Sequence, residues 1–347
     1  MSGEREQAGR RARADAVAEP VDVQDLLIIS ALQRDGRMPF AALAELLGMS
    51  VYAVTERYRR LVDAGLMSVV PVVNPLAFTG YRQVIVGLRV SGRRDEALAM
   101  LKAMDEVTYV VCALGDADVI AEVVVRSSRD MDRFLKHDLR LLPGLERIQV
   151  FSCDRLVLDD HNVGVVNRLL AAHGARGFMG KLDANVGADA DPRASVDTGD
   201  GMLGPHLAET FNVLQKDGRV SLRDAGERLG VTHAAVRGRI RKLADAGLMR
   251  IMATVSPMRL GGLRQAFLGL ALRPPRLMDP RDLARIDEVT YVMSGVGFGG
   301  ADYLVEMIAD DDASLWRVID ESVRTLPGVE QVWWASTVSV EKESYRL

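Results

Sequence analysis

Hydrophobic positions along this chain follow two rhythms in succession. Val23, Leu26, Leu27, Ile29 and Leu32 recur at helical spacing and stop at Asp35-Gly36, which predicts an amphipathic helix. The apolar stretch Phe40–Leu47 predicts a second helix closed by Gly48, and Ser50 is a suitable N-cap for a third over Val51–Asp63. The period then drops to two. Gln83–Val90 reads as a strand, Arg94–Met104 as a helix, and Val107–Leu114 and Val119–Val125 as strands across Gly115-Asp116. Asp130–Leu141 predicts a helix and Leu145–Ser152 a final strand. The order β-α-β-β-α-β is the split βαβ, or ferredoxin-like, unit.

The pattern then occurs again. Asp35-Gly36-Arg37, Asp63-Ala64-Gly65-Leu66-Met67 and Asp105-Glu106-Val107-Thr108-Tyr109-Val110 all recur 182 residues later, and Leu142-Pro143-Gly144 recurs after 184. Low complexity does not hold one register across such different motifs, so the chain is a tandem duplication with two residues inserted late in copy two. Copy two predicts helices over Ser221–Leu229 and, behind Thr232, His233–Asp245. Strands or helices follow at Gln265–Leu272, Pro280–Ile286, Thr290–Val296, Tyr303–Ile308, Ala313–Leu326 and Glu330–Ser336.

The fold class is α+β. A polar tail over residues 1–20 is expected to be disordered, and residues 161–204 form a connector and an Asp/Ala/Gly-rich flexible linker. Winged helix-turn-helix domains occupy 21–75 and 205–257, and βαββαβ domains occupy 80–160 and 262–347.

Two helices joined by a Gly-x-Ser/Thr turn predict a helix-turn-helix whose second helix enters the major groove of double-stranded DNA. A plain helical hairpin is the alternative, and the basic residues argue against it: Arg57, Arg59 and Arg60 in copy one, and Arg237, Arg239, Arg241 and Lys242 in copy two. Ser50, Tyr52, Thr55 and Glu56 complete the first candidate DNA surface, and Thr232 and His233 the second. Core positions agree between the two helices (Val54 with Val236, Leu61 with Leu243). The positions that should face base edges differ: Val51 against His233, Tyr52 against Ala234, Thr55 against Arg237, Glu56 against Gly238. This predicts an operator with two unlike half-sites, with Arg237 the best candidate for a guanine contact.

Net charge, −4 with a pI near 5.8, argues against a nonspecific nucleic-acid coat, but its distribution is uneven. Asp22–Met67 carries −1 and Pro205–Arg250 carries +4, so copy two should supply most of the salt-dependent affinity. Two cysteines, Cys112 and Cys153, make neither a disulfide framework nor a zinc site and read as small buried residues in a cytoplasmic protein. No apolar run reaches membrane-spanning length, and no signal-peptide core follows the N-terminus.

The helix-turn-helix with Asp-Gly-Arg, the Gly-Leu-Met stretch leading to Asn-Pro or Ser-Pro, and the βαββαβ unit with Val-Thr-Tyr-Val and Leu-Pro-Gly together resemble the Lrp/AsnC family of transcription regulators. The resemblance implies a sensing domain, often called RAM, that pairs face to face and binds an amino-acid-like effector near the loop between its second and third strands. It also implies a homo-oligomer, no cofactor, and two sensing domains that meet within one chain. Gly115-Asp116-Ala117-Asp118 matches the family's Gly-x-x-Asp, whereas Gly297 and Asp302 in copy two are separated by two extra residues. Gly115, Asp116, Asp118, Gly297 and Asp302 are therefore the candidate ligand residues, with Asp118 expected to matter more than Asp302. An ordinary hairpin turn with a solvated Asp remains open. Tyr109 and Tyr291 read as core or interface residues.

Two other functions are compatible with this architecture. One is a decarboxylase acting on a siroheme-type tetrapyrrole, which would want basic residues and a histidine beside the sheet. None of the five histidines, His137, His161, His173, His206 and His233, falls on a predicted sheet strand, and no catalytic triad, phosphate loop or metal-ligand spacing is present. The other is an interaction protein with degenerate DNA-binding domains.

Overall fold

A computed structural model of the chain describes residues 21–175, 177–178, 205–215, 217–275 and 278–344. The expected N-terminal tail and most of the expected linker lie outside the described residues. Copy one opens with helices α1 (Val23–Arg34), α2 (Phe40–Leu47) and α3 (Val51–Asp63), followed by β1 (Met67–Val72). Gly48 adopts the left-handed conformation that ends α2, and the Ser50 hydroxyl accepts the Ala53 N–H at the start of α3. Then come β2 (Arg82–Val90), α4 (Arg94–Ala103), β3 (Val107–Gly115), β4 (Val119–Val125), α5 (Ser128–Lys136), β5 (Leu145–Asp159) and a connecting helix α6 (Val163–Ala172).

Copy two repeats the order. Its helical part has α7 (Pro205–Leu214), α8 (Leu222–Leu229), α9 (His233–Asp245) and β6 (Arg250–Val255). Its sheet part has β7 (Arg264–Leu272), α10 (Pro280–Ala284), β8 (Val289–Gly297), β9 (Ala301–Ala309), α11 (Asp312–Val318) and β10 (Val329–Glu343).

The two copies do not stand apart. β1 and β6 pair antiparallel, Met67 opposite Val255 and Val72 opposite Arg250, so the strand expected to be one side of a wing in each copy is completed by its counterpart. The repeated Asp-Gly-Arg motif explains why they meet. Arg37 donates to the carbonyls of Gly218 (2.7 Å) and Val220 (2.9 Å), and Arg219 donates to those of Gly36 (2.6 Å) and Met38 (2.9 Å). Between them the glycines press against the opposite strand: a Cβ on Gly36 or Gly218 would stand 2.7 Å from the carbonyl oxygen of Ile251 or Val69. Asp35-Gly36 was expected only to stop a helix; the structure makes it part of a reciprocal clamp between copies.

The sheet parts close into one eight-stranded barrel, in the order β10-β3-β4-β2-β5-β8-β9-β7. Closure explains why β5 and β10 run past the expected ends at Ser152 and Ser336. Each pairs first with its own copy (Val90 opposite Leu145; Leu272 opposite Val329) and then crosses to the other (Asp159 opposite Tyr291; Glu343 opposite Tyr109). Apolar positions such as Leu158 find their cover only in the other copy, so pattern within one copy cannot reveal them.

Side chains alternate in and out along each strand. Val119, Ala121, Val123 and Val125 of β4 pack outward against copy one's helices, while Ile120 enters the barrel with Phe267 and Leu304 from copy two. Phe298, from the insertion in copy two, fills one region of the barrel: it is buried, stacks on Trp333 at 4.3 Å and meets Phe151 at 5.8 Å. Cys112 and Cys153 are buried and free, as expected.

Candidate nucleic-acid interface and ligand cavity

On α3, Tyr52 is 76% exposed and Val51 is also open to solvent. The basic residues of this helix are differently placed. Arg57 donates to Asp22 (2.7 Å) and Asp25 (2.8 Å), and Arg60 reaches the other oxygen of Asp25, whose side chain is 0% exposed. These two arginines, expected on the DNA surface, pin α3 to the start of α1 because the buried carboxylate of Asp25 needs compensating charge. Arg59 is exposed and pairs with Glu56. Thr55 donates its hydroxyl to the Val51 carbonyl (2.7 Å).

On α9 the same positions are free of such ties, because Leu207 stands where copy one has Asp25. Arg239 donates to two neutral oxygens, the His206 carbonyl and the Thr210 hydroxyl, both at 3.3 Å. Arg241 pairs with Asp245 at 3.3 Å on the exposed surface. Arg237 and Lys242 are exposed and have no hydrogen-bond or ion-pair partner among the described residues; His233 is exposed beside them. Thr232 caps α9 by accepting the Ala235 N–H.

The candidate ligand loops are tightly braced. Asp118 accepts from Arg89 (3.0 Å) and from the Val90 N–H (3.0 Å), and Asp302 accepts the Leu272 N–H at 2.8 Å. Asp116 accepts the Trp334 N–H (3.0 Å) while its own N–H donates to the Trp334 carbonyl (2.9 Å), tying copy one's loop to β10. A Cβ on Gly115 would stand 2.7 Å from Trp334 O, and one on Gly297 2.1 Å from Val150 O, so these glycines permit strand contact between copies. The structure brings Asp116 to a cavity with Phe298 and Trp333, while the carboxylates of Asp118 and Asp302 each hold a neighbouring strand.

A different cavity, of about 150 Å³, lies within the barrel where it faces the helix-turn-helix pair. Its walls come from both copies at matching positions: Gln83 with Gln265, Tyr109 with Tyr291, Glu122 with Glu306, and Asp159 with Glu343; Pro75 and Pro257 lie at its rim. Tyr109 and Tyr291 are indeed interface residues, since Gln265 donates to the Tyr109 hydroxyl and Gln83 to the Tyr291 hydroxyl, each at 3.1 Å across copies. The Thr108 and Thr290 hydroxyls each donate to the glutamate beside them, Glu122 and Glu306, at 2.7 Å. Removal from water pushes Glu306 up to about 8 and raises Glu122 above the usual carboxylate range.

His161 also lines this cavity. It was expected in a connector away from the sheet, but it follows β5 directly and lies 3.1 Å from Asp159. Burial first, and then the charge of Arg250, push its imidazole down to about 3, so it is neutral; burial raises Asp159 to about 6. His161 and Asn162 both take positive φ (47° and 65°), and their N–H groups donate to the side-chain carboxylates of Asp159 and Asp160. The interior glutamates were the available sequence signal: Glu122 is the one acid of β4, and Glu306 stands amid the apolar run Leu304–Ala309 of β9.

An AsnC-type helix-turn-helix domain matches residues 21–62 and again 212–244, and the Lrp/AsnC ligand binding domain matches 83–160. The chain thus carries two AsnC-type helix-turn-helix domains and an Lrp/AsnC ligand binding domain. Its Lrp/AsnC-type relatives include the HTH-type transcriptional regulator FL11 of Pyrococcus horikoshii, 27% identical over 131 residues that cover 37% of this chain and 85% of FL11. A further HTH-type transcriptional regulator, from Pyrococcus furiosus, is 28% identical over 142 residues, 40% of this chain and 95% of that protein. Such relatives align with a single Lrp/AsnC unit. The siroheme decarboxylase NirDL shares the fold over 92% of this chain and 93% of its own, with a TM-score of 0.58 at 13% identity. No helix among the described residues is long and apolar enough to cross a membrane.

Proposed function

We propose that the chain is a transcription regulator that binds specific double-stranded DNA and responds to a small metabolite. The observation that carries this reading is the pair of helix-turn-helix units locked together by β1–β6 pairing and the Arg37/Arg219 clamp, with Arg237 and Lys242 of α9 presented unpaired to solvent. Fixed recognition helices can read two half-sites in one register, and unpaired cations can exchange bound counter-ions for phosphate. Internal locking makes one chain equivalent to a dimer of single-unit relatives, and further whole-chain association would build the homo-oligomer.

The decarboxylase alternative draws on the full-length fold shared with NirDL and on His161 in the barrel. The chemistry of the cavity favours it less. A siroheme-type substrate bears several carboxylates, whereas four carboxyl groups and no Lys or Arg are among the described lining residues of this cavity. Selection of duplexes from a random pool, followed by anisotropy titration of the enriched sequence, tests the regulator reading. Enrichment of two unlike half-sites with at least hundredfold preference over random duplex is the expected result; no enrichment, with turnover of an iron tetrapyrrole, would replace it with the enzyme.

A further inference from the structure

We propose that the cavity at the pseudo-twofold axis of the barrel binds a compact alkyl diamine, its ammonium groups held by Glu122 and Glu306 and its methylenes lying against Ile120 and Leu304. The proposal deepens the sensing half of the function above. It places the ligand between the two sheets of one chain, away from the braced Gly115–Asp118 loop.

Charge sets the ligand class. Four carboxyl groups, Glu122, Glu306, Asp159 and Glu343, line the space; no Lys or Arg is among the described lining residues, and His161 is neutral. An anion or a free carboxylate would lose its water there with no Lys or Arg among the described lining residues to pair with it. A metal ion fits poorly, because no group of three or more His, Cys, Asp or Glu among the described residues is arranged to hold one. An organic cation remains.

A second observation points to the same ligand independently of the acids. Gln83 is 3% exposed, lines the cavity, and spends its amide nitrogen on Tyr291, yet its Oε1 is buried with no hydrogen-bond partner. Such an acceptor costs stability unless a donor reaches it. An ammonium group carries three. With no cation present, burial keeps Glu306 protonated near neutrality, so a proton fills the role the ligand would take.

Size and shape narrow the class further. The cavity, about 150 Å³, is large enough for a four-carbon chain bearing two amines. Because the walls are duplicate residues facing each other, a ligand with like ends suits them better than one with unlike ends. Pro75, Pro257 and Asn162 at the rim lead into β2, β7 and α6, so an occupant touches the segments that join the barrel to the helix-turn-helix pair.

Isothermal titration of the full chain with 1,4-diaminobutane, without DNA, tests this site separately from the DNA-binding reading. The proposal expects saturable binding of one diamine per chain and none of 1,4-butanediol. Glu122→Gln and Glu306→Gln, which keep the shape of the protonated acids, should each weaken binding at least tenfold, with folding checked by circular dichroism, and Asp118→Ala should leave it unchanged. No saturable binding at millimolar diamine, equal binding by both glutamine variants, or equal binding of the diol would overturn it.

Discussion

The two recognition helices descend from one sequence and have come to use their arginines differently. In α3, Arg57 and Arg60 turn inward to Asp25 and Arg59 is neutralised by Glu56, so the basic face serves the fold. In α9, loss of the acid at Leu207 releases the equivalent face, and Arg237 and Lys242 stand free. Basic residues on a recognition helix are therefore poor evidence of phosphate contacts until their acidic neighbours are known. Two acids at the start of the first helix, Asp22 and Asp25, replaced in copy two by Gly204 and Leu207, separate the two roles.

The sharpest way to break this comparison is through stability. Replacing both Arg57 and Arg60 by Ala leaves Asp25 buried and unpaired. That should cost about 2–4 kcal/mol by denaturant unfolding, below the largest buried-pair losses because both guanidiniums also reach solvent. Arg239→Ala removes only two long bonds to neutral oxygens and should cost under ~1 kcal/mol. Equal losses at the two sites would show that α3 and α9 are held alike.

A control comes where the copies match. Gly36→Ala and Gly218→Ala each drive a Cβ to 2.7 Å from an opposite carbonyl oxygen. Both should destabilise by about 1–3 kcal/mol and weaken DNA binding together, since each loosens the same clamp. A variant that unfolds one copy's helices and spares the other's would mean that the clamp does not unite them.

The copies also differ in their interior acids, with a smaller effect. Glu306 has a folded value near 8, above the ordinary carboxylate value, so its contribution to stability is fully present in acid and is lost as pH rises through 8. His161 acts oppositely: held near 3, its contribution is present above about 6.5 and is lost as pH falls toward 3. The melting temperature should drop by a few degrees between pH 6 and 9, at ~2–4 °C per kcal/mol. Glu306→Gln should flatten most of that drop and Glu122→Gln less of it; an unchanged slope in Glu306→Gln would place the titration elsewhere.

Much of this architecture is legible in the sequence because its determinants are local. Ser50 and Thr232 cap, Gly48 and Gly230 end helices, and period-two runs mark strands. What lies between copies is harder to read. The extensions of β5 and β10, the Asp-Gly-Arg clamp and the Gln–Tyr bonds across the barrel depend on partners more than 130 residues away in sequence. The candidate loop acids were singled out by resemblance, and geometry instead shows Asp118 and Asp302 doing the same job, each capping a strand N–H. That Asp22 and Asp25 claim Arg57 and Arg60 is likewise a matter of distance between helices far apart in sequence.

The salt dependence of DNA affinity tests most directly whether copy two carries the phosphate contacts. With the selected duplex, log affinity against log salt should lose about two units of slope in Arg237→Ala/Lys242→Ala, near 0.9 per lost contact, together with at least tenfold in affinity. Arg59→Ala, whose partner Glu56 already neutralises it, should leave the slope within ~0.3 of the parent. A full unit lost in Arg59→Ala, with the double variant of α9 unchanged, would contradict the account.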